Sequence, residues 1–282
     1  MIPTFAVTSR SEPAAPPRLQ RTDGAARIAF KLGGGATRLD RLYQSGAAKI
    51  RLPRGPVGEP PEAVLINTAG GLTGGDRMEA AIDVAAFCRA TISTQACEKV
   101  YRASSGRAEI RNSIDVGAGA RLDWLPQETI LFDGAQLSRQ FDVTLAEGAT
   151  LLAAESVIFG RQAHGESVRS GRFTDRWRIR RGEKLVFADD LRFDWADAEL
   201  LSRPATLAGG RAMATLLLVG DDAEQHLEPL RAVVGEAGGV SAWGGKLLAR
   251  LVAADGVALR ETLIPAIGAL RGGLPLPRIW RI

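Results

Sequence analysis

Histidine and cysteine are scarce in this chain. Its 282 residues include two of each, His164 and His226, Cys88 and Cys97. Two cysteines cannot form a disulfide framework, and their spacing does not suit a zinc ribbon, so each reads as a small buried hydrophobe. No H-E-x-x-H, no G-x-S-x-G elbow and no Cys-His-Asn set occurs, which removes the common metalloprotease, hydrolase and thiol-protease chemistries. Aromatics are few, with nine Phe, five Trp and two Tyr, too sparse for a sugar-lined groove or a base-stacking platform. No run of about 18 apolar residues could span a membrane. The opening "MIPTFAVTSRSEPAAPPRLQR" lacks the apolar centre of a secretory signal. A cytoplasmic protein with a disordered Pro-rich arm over residues 1–22 is expected, followed by one domain over 23–282.

Charge is plentiful but balanced, with 36 Lys and Arg against 32 Asp and Glu. The basic residues are interspersed with the acids, and only "DRWRIRR" (Asp175 to Arg181) is a dense cluster. Without interleaved aromatics it reads as a solvated strand face, which argues against nucleic acid as a partner.

From about residue 25 to residue 208 the grammar is short apolar alternation broken by glycine, which specifies strands. "IDVGAGARLDW" from Ile114 and "VTLAEGATLLA" from Val143 echo one another, with looser copies in "IDVAAFCRATI" from Ile82 and "WRIRRGEKLVF" from Trp177. Cys88, Gly119, Gly148 and Gly182 align in this reading. Recurrence at about 30 residues fits a solenoid-like, elongated two-sheet body of stacked β units; ordinary hairpins with shared turn chemistry fit as well.

From about residue 209 a β-α-β-α pattern follows. "RAMATLLLVG" and "KLLARLVA" read as strands. "DDAEQHLEPLRAVVGEAGG" reads as a helix capped at Asp221 or Asp222 and ended by Gly238-Gly239. "VALRETLIPAIGALRGG" reads as a second helix, kinked or divided at Pro265, and the tail "LPLPRIWRI" as extended. The apolar runs in this segment predict a surface that a partner covers.

"NTAGGLTGGD" (Asn67 to Asp76) places Gly70, Gly71, Gly74 and Gly75 behind an apolar run. It fits neither the Walker nor the dinucleotide register, so a tight hairpin with positive-φ glycines is expected, with Asp76 held on a rigid turn. Other acids end apolar strands: Glu128, Glu155 and Asp189. A carboxylate in such a setting must be paired, hydrated or bound to a cation.

The stretches "NTAGGLTGGD", "TQACEKVYR", "LDWLPQETILFDGA", "GRQAHGE" and "LPLPRIW", in that order, resemble the urease accessory protein UreD family, called UreH in some lineages. The resemblance runs from about Ala25 to the end and is strongest between Leu65 and Phe193. It implies a mainly β, helicoidal body with two helices, and an accessory factor in place of an enzyme. Such a factor docks UreF, which recruits the GTPase UreG, and the assembly, a hetero-oligomer with two copies of the chain, delivers nickel to apo-urease. No cofactor stays bound, and Ni²⁺ is in transit. By motif, the acids of the family's internal channel fall on Asp76, Glu155 and Asp189, with Asp190 sharing the register of the last and Glu128 and Glu98 as additional channel or structural positions. Hard carboxylates bind a borderline ion loosely enough to release it, so poverty in His and Cys suits the role. A β-solenoid enzyme acting on carbohydrate, or an interaction module without metal transit, are the alternatives.

Overall fold

Alternation in the sequence becomes two facing sheets. The structure, a computed structural model, describes residues 20–56, 58–161, 165–197, 199 and 201–281. The expected arm therefore lies outside the described residues, apart from its last three positions, and so does His164. Among these described residues seventeen strands occur in chain order. The first nine are β1 (Asp23–Gly33), β2 (Ala36–Gly46), β3 (Ala48–Arg51), β4 (Glu62–Asn67), β5 (Arg77–Val84), β6 (Arg89–Thr94), β7 (Glu98–Val100), β8 (Ala108–Val116) and β9 (Arg121–Leu125). They continue as β10 (Thr129–Leu131), β11 (Ala135–Leu145), β12 (Thr150–Phe159), β13 (Gly171–Arg181), β14 (Lys184–Asp194), β15 (Ala212–Val219), β16 (Gly238–Trp243) and β17 (Lys246–Ala253). Two helices, α1 (Leu227–Val234) and α2 (Gly256–Leu270), flank the last two strands.

One sheet runs β14-β13-β11-β8-β5-β1-β2, the other β16-β17-β15-β12-β9-β6-β4-β3, with β10 beside β12 and β7 beside β10. The chain passes back and forth between them, so that β5, β8, β11 and β13 stack parallel in one sheet and β4, β6, β9 and β12 stack parallel in the other. This is the stacked-coil body that the echo suggested. Because side chains alternate faces with period 2, the register aligns Ile28, Ile82, Ile114, Val143 and Ile179 as one inward row across five strands. All five are buried.

The coil corners show what the repeat encodes. Gly119 and Gly148 take φ of 61° and 65°, and Phe87, not Cys88, holds the matching left-handed place in the first coil with φ of 61°. The aligned residue was thus one position off. Cys88, Ala120 and Ala149 follow the corners and are buried in the core between the sheets. Successive corners are stitched by Phe87 N–H to Ala118 O (2.9 Å) and Gly119 N–H to Glu147 O (3.0 Å). The fourth copy departs: at Gly182 the chain turns back within one sheet, pairing β13 and β14 antiparallel. Both readings of the echo hold, coils for the first three corners and a hairpin for the last.

The C-terminal segment runs β15-α1-β16-β17-α2, the expected β-α-β-α with one strand added, and differs in several further details. Every residue of β15 is buried, Leu217 and Val219 between the sheets and Leu216 and Leu218 against α1 and α2. Much of the apolar runs is therefore covered by the chain's own helices, while Trp243 and Val257 of this segment stay exposed. The first helix is shorter than expected, begins with a 3-10 turn over Ala223–His226, and gets no side-chain cap from Asp222. Gly235 ends it, and Gly238-Gly239 open β16 instead. α2 is capped by Asp255, whose Oδ1 accepts from Ala258 N–H at 2.8 Å, and continues through Pro265. Pro265 lies on the exposed face, while Leu263, Ala266, Ile267 and Leu270 are buried, so packing outweighs one lost helical hydrogen bond. The tail ends in a 3-10 turn over Arg278–Arg281 that buries Trp280, because residues beyond Pro277 are free to turn. Among the described residues no helix is long and apolar enough to cross a membrane.

Candidate functional site

The glycine loop is a crossover, not a hairpin: β4 lies in one sheet and β5 in the other. Gly70, Gly71 and Gly75 do take positive φ, of 76°, 147° and 94°. Gly74 serves by closeness, since a Cβ there would lie 2.2 Å from Ser105 O. Asp76 is buried, but its carboxylate accepts from Thr22 N–H and Thr73 N–H, both at 2.8 Å. It closes its own loop. Each oxygen of this acid thus holds one backbone amide, and Asp76 does not line the cavity described next.

That cavity, of about 220 Å³, lies between the sheets. Gly70, Gly71, Lys49, Asn67 and Glu98 line it together with Gln95, Cys97, Gln127, Thr129, Arg139 and Glu155. It sits where the inward rows of the sheets turn polar. One apolar core holds Ile82, Ile114, Phe141, Val143 and Trp177, another holds Leu131, Leu137, Val157 and Phe173, and Arg139, Asp175 and Glu155 come between these along their strands. Arg139 donates Nε and Nη2 to Asp175 at 3.0 and 2.6 Å, and Nη1 to Thr129 at 3.2 Å and to Glu155. Glu155 also accepts from Trp124 Nε1 at 2.9 Å. Beyond Glu155, register pairs it with Thr215, and Thr215 with Arg250, whose Nη2 lies 2.5 Å from Asp189 Oδ2. A polar layer thus crosses the body from Glu98 at the cavity through Glu155 to Asp189 on β14.

The candidate acids separate by partner. Glu155 and Asp189 belong to the layer, each against an arginine. Glu128 lies outside the cavity lining and is clamped by Arg260, Nε to Oε1 at 2.6 Å, with the Cys97 thiol 3.2 Å from its Oε2. Asp190 faces outward and pairs with Arg178 at 2.7 Å. Glu98 accepts from Asn67 Nδ2 at 3.0 Å and faces no arginine in an ion pair among the described residues. Arg139 and Asp175 were not singled out from the sequence, although both put a charge at an inward position of an alternating apolar strand.

Electrostatics follow burial. Desolvation raises Glu155 to about 6, against the pull of Arg139, and raises Glu98 to about 7, against the Asn67 bond. Burial and the neighbouring Glu128 push the Cys97 thiol up to about 12, which keeps it protonated. Burial would raise Glu128 too, but the Arg260 bond holds it below the usual range. Because Glu98 has a folded-state pKa above its ordinary 4.5, the folded chain keeps a proton that the unfolded chain has released. That stability is present below the unfolded value and is lost as pH rises through about 7. Glu98→Gln is expected to be more stable than the parent at about pH 8, with the gain fading toward about pH 4.5. Urea midpoints at the two pH values check this, and a gain independent of pH would show a fully hydrated carboxylate.

Among the described residues no three His, Cys, Asp or Glu side chains cluster to hold a metal. The donors facing the cavity are carboxylates, amides and hydroxyls with one protonated thiol.

The chain matches the family model described as "UreD urease accessory protein" over residues 22–281. It is 54% identical to the urease accessory protein UreD of Rhizobium leguminosarum bv. viciae over 270 residues, 95% of this chain and 98% of that protein. To the proteins of the same name from Mesorhizobium japonicum and Brucella suis it is 51% and 46% identical, over 95% and 94% of this chain and 96% of each of theirs. With a family model matched over residues 22–281 and relatives about half identical over 95% of the chain, the chain belongs to the UreD family of urease accessory proteins.

Proposed function

We propose that this chain is a non-catalytic, cytoplasmic scaffold that docks UreF and the GTPase UreG onto apo-urease and conveys Ni²⁺ toward the urease active site. The observation that carries the conveyance is the polar layer, buried at Glu155, Arg139 and Asp175 and half-buried at Glu98 and Asp189. A body with apolar cores on both sides keeps Glu98, Glu155 and Asp189 in one band, at a desolvation cost that packing alone would not select. Arg139 faces two carboxylates, Glu155 and Asp175, so the centre of the layer has a net negative charge when both are ionised. A divalent cation entering the cavity would relieve it. Glu98 and the glycine loop form the cavity end of the path, and Glu155 is its central station. Asp76 and Asp190 hold structure, and so does Glu128, which ties the cavity wall to α2.

A carbohydrate-active reading finds no support in the site. Glu155, its buried carboxylate, is paired with Arg139, and of the aromatics Trp124, Phe141 and Trp177 that pack on one another only Trp124 reaches the cavity wall.

Glu155→Gln tests the proposal. The amide keeps an oxygen for Trp124 and removes the charge. Co-expressed with urease and its other accessory proteins, the variant should co-elute with them as the parent does, while nickel per urease active site falls at least about tenfold, the effect of losing one charged contact. Nickel content at the parent's level would leave an interaction module without metal transit. Loss of co-elution and nickel together would make Glu155 structural.

A further inference from the structure

Arg139 stands at the inner wall of the cavity, and its bonds are unequal. Asp175 receives two of them, in a side-by-side pair from Nε and Nη2. Glu155 receives one, from Nη1. A bidentate pair is the stronger and more directional contact, so Asp175 alone can neutralise and hold the guanidinium. The contact to Glu155 is then the exchangeable one. Glu155 has a second anchor in Trp124 Nε1 on the cavity wall, so its carboxylate can leave the guanidinium without losing every partner. The same wall carries Gln127, which is 5% exposed. Its Oε1 is held by Arg260, and its Nε2 is buried without a partner among the described residues. That donor fits a polar occupant of the cavity, such as water accompanying an ion.

We infer that Arg139 is the gate of the path: Asp175 fixes the guanidinium so that Glu155 can trade its single bond to Arg139 for a divalent cation arriving in the cavity. The inference rests on the cargo reading above and adds two residues to it. Asp175 does not line the cavity, so it is a positioning residue that acts only through Arg139. Without it, Glu155 becomes the sole counter-ion of a buried guanidinium and cannot let go. The gate shuts although every cavity-lining side chain is unchanged.

The test uses the full chain, equilibrium dialysis against nickel chloride, and a thermal melt of each variant. Glu155→Gln should weaken nickel uptake at least about tenfold, and Asp175→Asn should do the same, each removing about one charged contact from the bound state. The double variant Arg139→Gln with Asp175→Asn removes gate and holder together, and its uptake should return to the parent's level or exceed it. A purely structural role for Asp175 predicts the opposite, since the double variant would then be the worse folded. Parent-like uptake by Asp175→Asn, or a double variant no better than the single, overturns the gate. Parent-like uptake by Glu155→Gln, or a parent chain that takes up no nickel, overturns the cargo reading and the gate with it. Should Asp175→Asn not fold alone, the double variant decides against the parent: uptake at least equal supports the gate, and weaker uptake overturns it.

Discussion

Arg139→Met should destabilise the fold by about 3–5 kcal/mol, the cost of removing one partner from a buried ion pair. The methionine fills much of the volume, and the lost interaction with the Phe173 face, 5.6 Å from the guanidinium, is secondary. The main term is charge. Glu155 and Asp175 are 5% and 3% exposed, and the substitution leaves both without their cation. One of them must then take up a proton, and burial has already raised Glu155 to about 6. The sign with pH follows. Near pH 5 a stranded carboxylate is neutralised at little cost, while near pH 8 it must be neutralised against the solution, so the loss should be about 1 kcal/mol or more greater at the higher pH. Glu155→Gln, which keeps the Trp124 bond and strands no cation because Asp175 remains, should cost about 1 kcal/mol or less. Urea unfolding of both variants at the two pH values measures this. A loss below about 1 kcal/mol for Arg139→Met at pH 8 would mean that water reaches the triad freely.

How much of this was legible in the sequence depends on the range of the cause. The coil corners were legible because a left-handed φ is a local demand that glycine meets, at Gly119 and Gly148. Phe87 meets the same demand against its preference, which is why the first corner aligned one residue late, on Cys88. The strands were legible from alternation, but which sheet each joins was not. The residues around Gly70 report a tight turn, and only the distant pairing of β4 with β6 and of β5 with β1 and β8 makes that turn a crossover. The acids show the same limit. A carboxylate at the end of an apolar strand announces that it needs a partner, but Arg260 lies 132 residues from Glu128 and Arg250 lies 61 from Asp189. Arg139 and Asp175 did leave a trace. In Leu137-Arg139-Phe141-Val143 and Phe173-Asp175-Trp177-Ile179 every second residue points inward, and the parallel register sets the two charges opposite each other. A charge that interrupts the inward row of two echoing strands is a signal for a buried pair. Asp76 shows the converse limit: its carboxylate accepts from two backbone amides, and no motif distinguishes a loop acid held that way from a ligand.

The other large effect is expected at the end of the chain, from Trp280→Ala. Trp280 is 1% exposed and packs in the core that α1 and α2 share with β15 and β17. Its Nε1 donates to Leu125 O at 2.9 Å, and the Arg260 guanidinium lies over its ring at 5.3 Å. Truncation should cost about 3–5 kcal/mol, combining lost burial with an unfilled cavity, and leave a backbone carbonyl unsatisfied for about 1–3 kcal/mol of that. Trp280→Phe keeps most of the packing and loses only the N–H, so about 1–3 kcal/mol separates the carbonyl term from the cavity term. The damage should also reach the cavity. Leu125 leads into Pro126 and Gln127, Arg260 holds Gln127 and Glu128, and removing the ring frees Arg260 on one side. Backbone amides of Leu125, Gln127 and Glu128 should therefore exchange with deuterium faster in Trp280→Ala than overall destabilisation accounts for, while corner amides such as Gly119 follow the global change. If these three amides exchange only in step with the global loss, the tail stabilises the fold without supporting the cavity wall.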